Sequence, residues 1–171
     1  MVPTETVYGL AADPRVAGAA EALFVAKGRP DTKPVTLFAA DLAQVLARGA
    51  VLGSVAERFA RRFWPGPLTL VLSTPEGFTG FRVPDHAVAL AILRRVGSVL
   101  AVTSANRSGE PPAVTAEEAA TALASVALIL DAGPSPGGVP STVVRVDGER
   151  VDILREGAVS KKQVEEVASG K

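Results

Sequence analysis

Apolar runs of strand length recur along the chain, and segments of helical period separate most of them. The runs are VTLFAA (35–40), LTLVLS (68–73), VLAVT (99–103) and ALILDAG (127–133). All are far shorter than the ~20 apolar residues that cross a bilayer. Among the segments between them, VAGAAEALFVA (16–26) has helical spacing and stops at Gly28 and Pro30, and 53–63 puts Arg58, Arg61 and Arg62 on one wet face. Asp85 predicts the cap of a helix running to Val96. Thr115 with Glu118 predicts a capping box and a helix to about residue 126, and Ser160 with Gln163 predicts a second box before a last short helix. In VVRVDGERVDIL, Asp147-Gly148 between alternating apolar runs predicts a hairpin. Together these imply a mixed α/β sheet with helices packed against it.

The bulk properties exclude several classes. At 171 residues, without a second block of composition, residues 1–171 read as one domain. Lys plus Arg and Asp plus Glu number 18 each, so no global field draws the protein to nucleic acid or an anionic membrane; anion binding must be local. The absence of cysteine excludes disulfides, thiolate metal sites and a cysteine nucleophile, and fits a reducing compartment. With no cleavable signal visible, the expected location is cytoplasmic.

Polar residues that break the apolar pattern come in pairs two positions apart: Thr4 and Thr6 in VPTETVYGLA, Lys27 and Arg29 in KGRPDTKP, Ser104 and Asn106 in TSANRSGEPP. On extended backbone such pairs point to one side, so the three could line one surface. Arg29 offers a planar fork for phosphate oxygens, with Lys27 and Lys33 as nearby point charges. Alone, each pair reads equally as a turn or a solvated loop. The chain has no carboxylate cluster with metal-binding spacing, so no metal ligand is assigned. His86, at a helix start, reads as a structural or capping group.

Together the motifs resemble the YrdC/Sua5 family of threonylcarbamoyl-AMP synthases, most closely its short bacterial type. The segments are PTETVYGLA (3–11), KGRPDTKP (27–34), FWPGPLTLVL (63–72), RVPDH (82–86), TSANRSGEPP (103–112), PSTVV (140–144) and LREGAVS (154–160). The resemblance implies a twisted α/β sheet flanked by helices with a large central cleft. It implies condensation of L-threonine, bicarbonate and ATP into threonylcarbamoyl-AMP and pyrophosphate, with Mg²⁺ carried on the triphosphate and no structural metal. The product would pass to the transfer machinery that modifies adenosine 37 of tRNA to t6A. By the same resemblance, Lys27, Arg29, Ser104 and Asn106 form a catalytic tetrad at the nucleotide. Lys33 and Arg155 join the ATP contacts, and Thr4, Thr6, Arg82 and Ser141 surround threonine.

Two features depart from the family. Phe38 stands where relatives often have a histidine near threonine, and the helix and strand that usually precede the PTET motif are missing. A strand edge would then be bare unless another part of the chain, or a second copy in a dimer, covers it. Trp64 reads as a packing residue of the cleft wall, with Pro-Gly-Pro fixing a sharp bend. Two other readings remain: an RNA-binding module, whose contact with tRNA or other RNA would be weak and salt-dependent given the balanced charge, and a carbamoyl-transfer domain.

Overall fold

The computed structural model describes residues 1–28 and 35–170. Seven strands form one sheet: β1 (Gly9–Ala12), β2 (Thr36–Phe38), β3 (Leu68–Thr74), β4 (Gly77–Arg82), β5 (Leu100–Ser104), β6 (Thr142–Asp147) and β7 (Arg150–Arg155). Their spatial order is β1-β5-β2-β4-β3-β6-β7. The β2·β4 and β3·β6 pairs are parallel and the rest antiparallel, so the sheet is mixed.

Period-two alternation divides the sheet into two faces. In β3, Leu68, Leu70 and Leu72 are fully buried in the main core, with Phe81 of β4 opposite Leu70. The helix α3 (Ser54–Phe63) supplies Val55, Phe59 and Phe63 to that core and packs against β3 and against α6 (Lys161–Ala168). Arg58 is half-buried, not part of a wet face. Its guanidinium donates to Val167 O at 3.2 Å and Ala168 O at 3.0 Å, where a helix C-terminus favours a cation. On the opposite face, Leu93 of α4 (Ala87–Val96) packs with Phe38, Leu100 and Val102 in a smaller cluster. The polar positions Thr36, Thr69 and Arg82 stand in the cleft described below.

Several sequence expectations are corrected. ALILDAG forms no strand: Leu130 N–H donates to Met1 O at 3.0 Å and the Met1 ammonium donates to Leu128 O, one rung of pairing before the segment turns around Tyr8. The helix α1 (Ala19–Lys27) begins three residues late, and α5 (Ala116–Ala122) ends four residues early. Asp85 caps nothing. His86 holds the N-cap position of α4 without a side-chain bond. Thr115 does accept from Glu118 N–H, but the Glu118 carboxylate turns to Val114 N–H instead, so the box is not reciprocal. The Ser160/Gln163 box is complete, and the expected hairpin forms, with Asp147 paired to Arg150 and the turn one residue on, at Gly148-Glu149.

The strands β1 and β4 and the helix α2 (Leu42–Ala47) have no counterpart in the sequence reading. GFTGFR carries two glycines and little apolar pattern, yet β4 is paired on both sides, and tertiary pairing overrides weak propensity. At the sheet edge, Val2 pairs reciprocally with Gly9 at 2.8 Å, so residues near the start of the chain cover one end of β1.

Candidate active site

A cleft of about 380 Å³ opens over the polar face of the central strands. It is lined by Thr4, Thr6, Lys27, Arg82, Ser104, Asn106, Ser141 and Arg155, all singled out from the sequence, and by Phe38. Arg29 and Lys33 lie outside the described residues. Residues separated by most of the chain therefore meet in one hollow, of a size suited to small ligands.

Lys27, Ser104 and Asn106 form one hydrogen-bonded group. The Lys27 ammonium donates to Ser104 O at 2.5 Å, Asn106 O at 2.8 Å and Asn106 Oδ1 at 3.1 Å. Ser104 Oγ donates to Asn106 Oδ1 at 2.5 Å, and Asn106 Nδ2 donates to Arg107 O and Glu110 O. The expectation of extended backbone is corrected: Lys27 ends α1, and the chain bends just after Ser104. The loop 103–112 is also pinned by its backbone, with Ala105 N–H donating to Tyr8 O and Tyr8 N–H to Ala113 O. Tyr8 is fully buried; its hydroxyl donates to Gly133 O at 2.8 Å, and burial pushes its pKa above the ordinary value.

Thr4 and Thr6 meet at 2.9 Å, but through a bend instead of a strand. Thr4 Oγ1 donates to Val7 O at 2.6 Å and accepts from Thr6 N–H and Val7 N–H. A hydroxyl has one proton, so Thr6 must donate to Thr4. Thr6 in turn accepts from Arg82 Nη2 at 2.9 Å. The direction of the chain is thereby fixed: Arg82 to Thr6 to Thr4 to Val7. Thr4 serves the turn, and Thr6 presents only acceptor capacity to the cleft.

Arg82 is buried to 3 % exposure, at the end of β4. Its Nε donates to Gly66 O at 3.2 Å, its Nη2 lies 2.7 Å from Glu5 Oε1, and its guanidinium sits 5.3 Å from the centre of the Phe38 ring. Burial lowers its pKa while Glu5 opposes the shift. The FWPGP bend thus has a use, because it delivers the Gly66 carbonyl to Arg82. Trp64 itself is a correction. It sits at the C-cap of α3, donates from its indole N–H to Leu68 O at 2.7 Å, and lines a separate apolar hollow with Leu42, Ala60, Pro65 and Val83.

The third wall joins the PSTVV and LREGAVS segments. Arg155 donates to Ser141 O at 2.7 Å, and Ser141 Oγ lies 2.9 Å from Thr69 Oγ1. Thr142 Oγ1 donates to Val159 O and accepts from Gly157 and Val159 N–H. Gly157 has to be glycine, since a Cβ there would stand 2.2 Å from Pro140 O. Burial lowers the Arg155 pKa first, and the positive charge of Arg82 second, so the two guanidinium groups share one field. Lys27, Arg82 and Arg155 line the same recess as Glu110, with Arg82 paired to Glu5 behind it, so cations outnumber carboxylates in the lining. Glu5, Tyr8 and Thr69 were not singled out from the sequence, although Thr69 carries a signal there: it is the polar position alternating with the three leucines of LTLVLS.

The comparisons agree with this architecture. A family model for Sua5, YciO and YrdC proteins, described as "Telomere recombination", matches residues 1–157. A threonylcarbamoyl-AMP synthase of Bacillus subtilis (strain 168) is 38% identical over 177 residues, covering 96% of this chain and 51% of that protein. A relative in Mycobacterium tuberculosis (strain CDC 1551 / Oshkosh) is 39% identical, with 98% of this chain and 82% of that protein covered. The crystal structure of P. abyssi Sua5 complexed with L-threonine superposes with a TM-score of 0.92 at 34% identity, over 97% of this chain and 52% of that one. The chain therefore spans about half the length of the Bacillus and P. abyssi relatives. Sequence motifs, the superposition on P. abyssi Sua5 and a match over residues 1–157 converge: the chain belongs to the Sua5/YciO/YrdC family.

Proposed function

We propose that the chain, acting as one domain, is an L-threonylcarbamoyladenylate synthase that condenses L-threonine, bicarbonate and ATP. The observation that carries this reading is the convergence of Lys27, Ser104, Asn106, Arg82, Ser141 and Arg155, from five separated motifs, on one cationic cleft. Relatives named for this activity support it.

In this reading the amine of threonine adds to bicarbonate to give a carbamate, with loss of water. A carbamate oxygen attacks the α-phosphorus of ATP, and pyrophosphate leaves as the bond to the β-phosphate breaks. Negative charge moves onto the leaving phosphates, so the protein's task is alignment and cationic stabilisation. Lys27 and Arg155 supply charge at the nucleotide, joined by Arg29 and Lys33, while Ser104 and Asn106 shape its loop. Arg82, Ser141 and Thr6 hold threonine. Mg²⁺ enters on the triphosphate; among the described residues no group of three or more His, Asp or Glu side chains could hold a metal. No helix among them is long and apolar enough to cross a membrane. A cytoplasmic setting, a weak contact with tRNA and delivery of the product to the t6A machinery belong to the same proposal.

The test is pyrophosphate release from ATP with threonine and bicarbonate supplied separately and together. Release is expected only when both are present, because the nucleophile is made from them. Release that ignores threonine would overturn the assignment, and tight, salt-tolerant RNA binding without turnover would favour a binding module.

A further inference from the structure

Glu5 lies between the two threonines of the first motif and does not line the cleft. Its carboxylate is nonetheless shielded from solvent. Oε1 forms an ion pair with Arg82 Nη2 at 2.7 Å, and neither carboxylate oxygen has a hydrogen-bond partner among the described residues. A buried carboxylate with so few hydrogen bonds is costly, and folding alone would be served as well by an apolar side chain. The main chain of Glu5 is held in place as well. Gly137 N–H donates to Glu5 O at 2.9 Å, and a Cβ on Gly137 would come within 2.6 Å of that oxygen.

The geometry at Arg82 explains the arrangement. Nε is committed to Gly66 O, and Nη2 to Thr6 and Glu5, with the Phe38 ring against the guanidinium. Nη1 has no protein partner among the described residues, and Arg82 lines the cleft. A guanidinium held on two of its three nitrogens offers the third in one fixed direction.

We propose that Glu5 is a positioning residue that, acting through Arg82, sets the affinity of the cleft for the carboxylate of its amino-acid substrate. Glu5 holds the guanidinium in place and offsets its charge, so that Arg82 presents Nη1 alone instead of swinging toward the phosphates nearer Arg155. The inference rests on the synthase reading above.

The experiment compares wild type, Glu5→Gln, Glu5→Asp, Arg82→Gln and the Glu5→Gln/Arg82→Gln double variant. Threonine and ATP KM are read from pyrophosphate release, and L-threonine binding is read by calorimetry. Glu5→Gln is expected to raise the threonine KM and Kd tenfold or more while the ATP KM and kcat stay within about threefold, and Glu5→Asp recovers part of the loss. In the Arg82→Gln background, removal of Glu5 changes threonine affinity no further. If Glu5→Gln folds poorly, Glu5→Asp, which keeps the charge and shifts it back by one methylene, carries the comparison, and a threonine Kd within twofold of wild type there would overturn the proposal. Arg82→Gln is the single variant that strands a buried charge, and the double variant relieves it. Unchanged threonine affinity in Glu5→Gln, an equal rise in the ATP KM, or a further tenfold loss in the double variant would overturn the proposal. Wild-type protein that binds threonine but releases no pyrophosphate would sink the synthase reading alone. Wild-type protein that binds no threonine would overturn both.

Discussion

Lys27, the last residue of α1, donates to both the main-chain and side-chain oxygens of Asn106, at 2.8 and 3.1 Å. One ammonium therefore shapes the loop that follows β5. Lys27→Met keeps the apolar stem and leaves buried acceptors without a charged donor. Bonds from charged donors are worth about 1.5–3 kcal/mol each. Urea unfolding is expected to show a loss of about 2 kcal/mol or more, and nucleotide turnover to fall with it. Unaltered stability would mean that the loop holds itself.

Gly157→Ala places a methyl against Pro140 O and the Ser141 backbone. Overpacking of this kind costs about 1–3 kcal/mol. Since the displaced backbone carries Ser141 and positions Arg155, turnover is expected to fall further than the stability loss explains, as read from kcat in a variant still fully folded at the assay temperature.

Tyr8→Phe removes the bond to Gly133 O and is expected to cost about 1 kcal/mol at pH 8. The pH dependence has a definite sign. The folded-state pKa of Tyr8 is raised above 10, so its contribution is complete below pH 10 and declines as pH rises from there through the folded value. The gap between wild type and Tyr8→Phe should therefore narrow between pH 9 and pH 11 in urea melts. A gap that widens over that range would contradict the assigned shift.

Phe38 packs with Leu93, Leu100 and Val102 and carries the Arg82 guanidinium on its ring. Phe38→His adds one polar contact at the cleft, worth about 0.5–1.5 kcal/mol, so the threonine KM is expected to fall roughly threefold to tenfold with the ATP KM unchanged. Arg82 disfavours the imidazolium, so the gain should appear at pH 8 and fade toward the acid range where the ring protonates. A loss of ATP binding, or an unchanged threonine KM, would show Phe38 to be a packing residue only.

The parts of the fold legible in the sequence are those fixed by local chemistry. Leucines alternating in 68–72, Asp147-Gly148 between apolar runs, and Ser160 with Gln163 each specify their element within a few residues. What escaped depends on distant partners. GFTGFR becomes a strand because β2 and β3 flank it, while ALILDAG fails to become one because Met1 supplies only a single rung. Residues lining the cleft were legible where a motif carried them, yet Thr4 met Thr6 and Ser104 met Asn106 through bends, not along strands, and Lys27 stands at a helix end. Glu5 stayed hidden because a charged residue between two threonines looks like surface until Arg82, 77 positions on, arrives beside it.

β5 lies between β1 and β2, and β6 beside β3, so the walls of the cleft come from residues near both ends of the chain as well as its middle. During synthesis, a chain released only as far as residue 99 has β1 but nothing to join it to β2, and the pairing that creates the pocket must close a loop of about ninety residues, a slow step for any chain. No contiguous fragment shorter than residues 4–155 carries the whole lining of the cleft. Two halves cut between α4 and β5 would each lack one of its walls, and the pocket would be rebuilt only when they recombine.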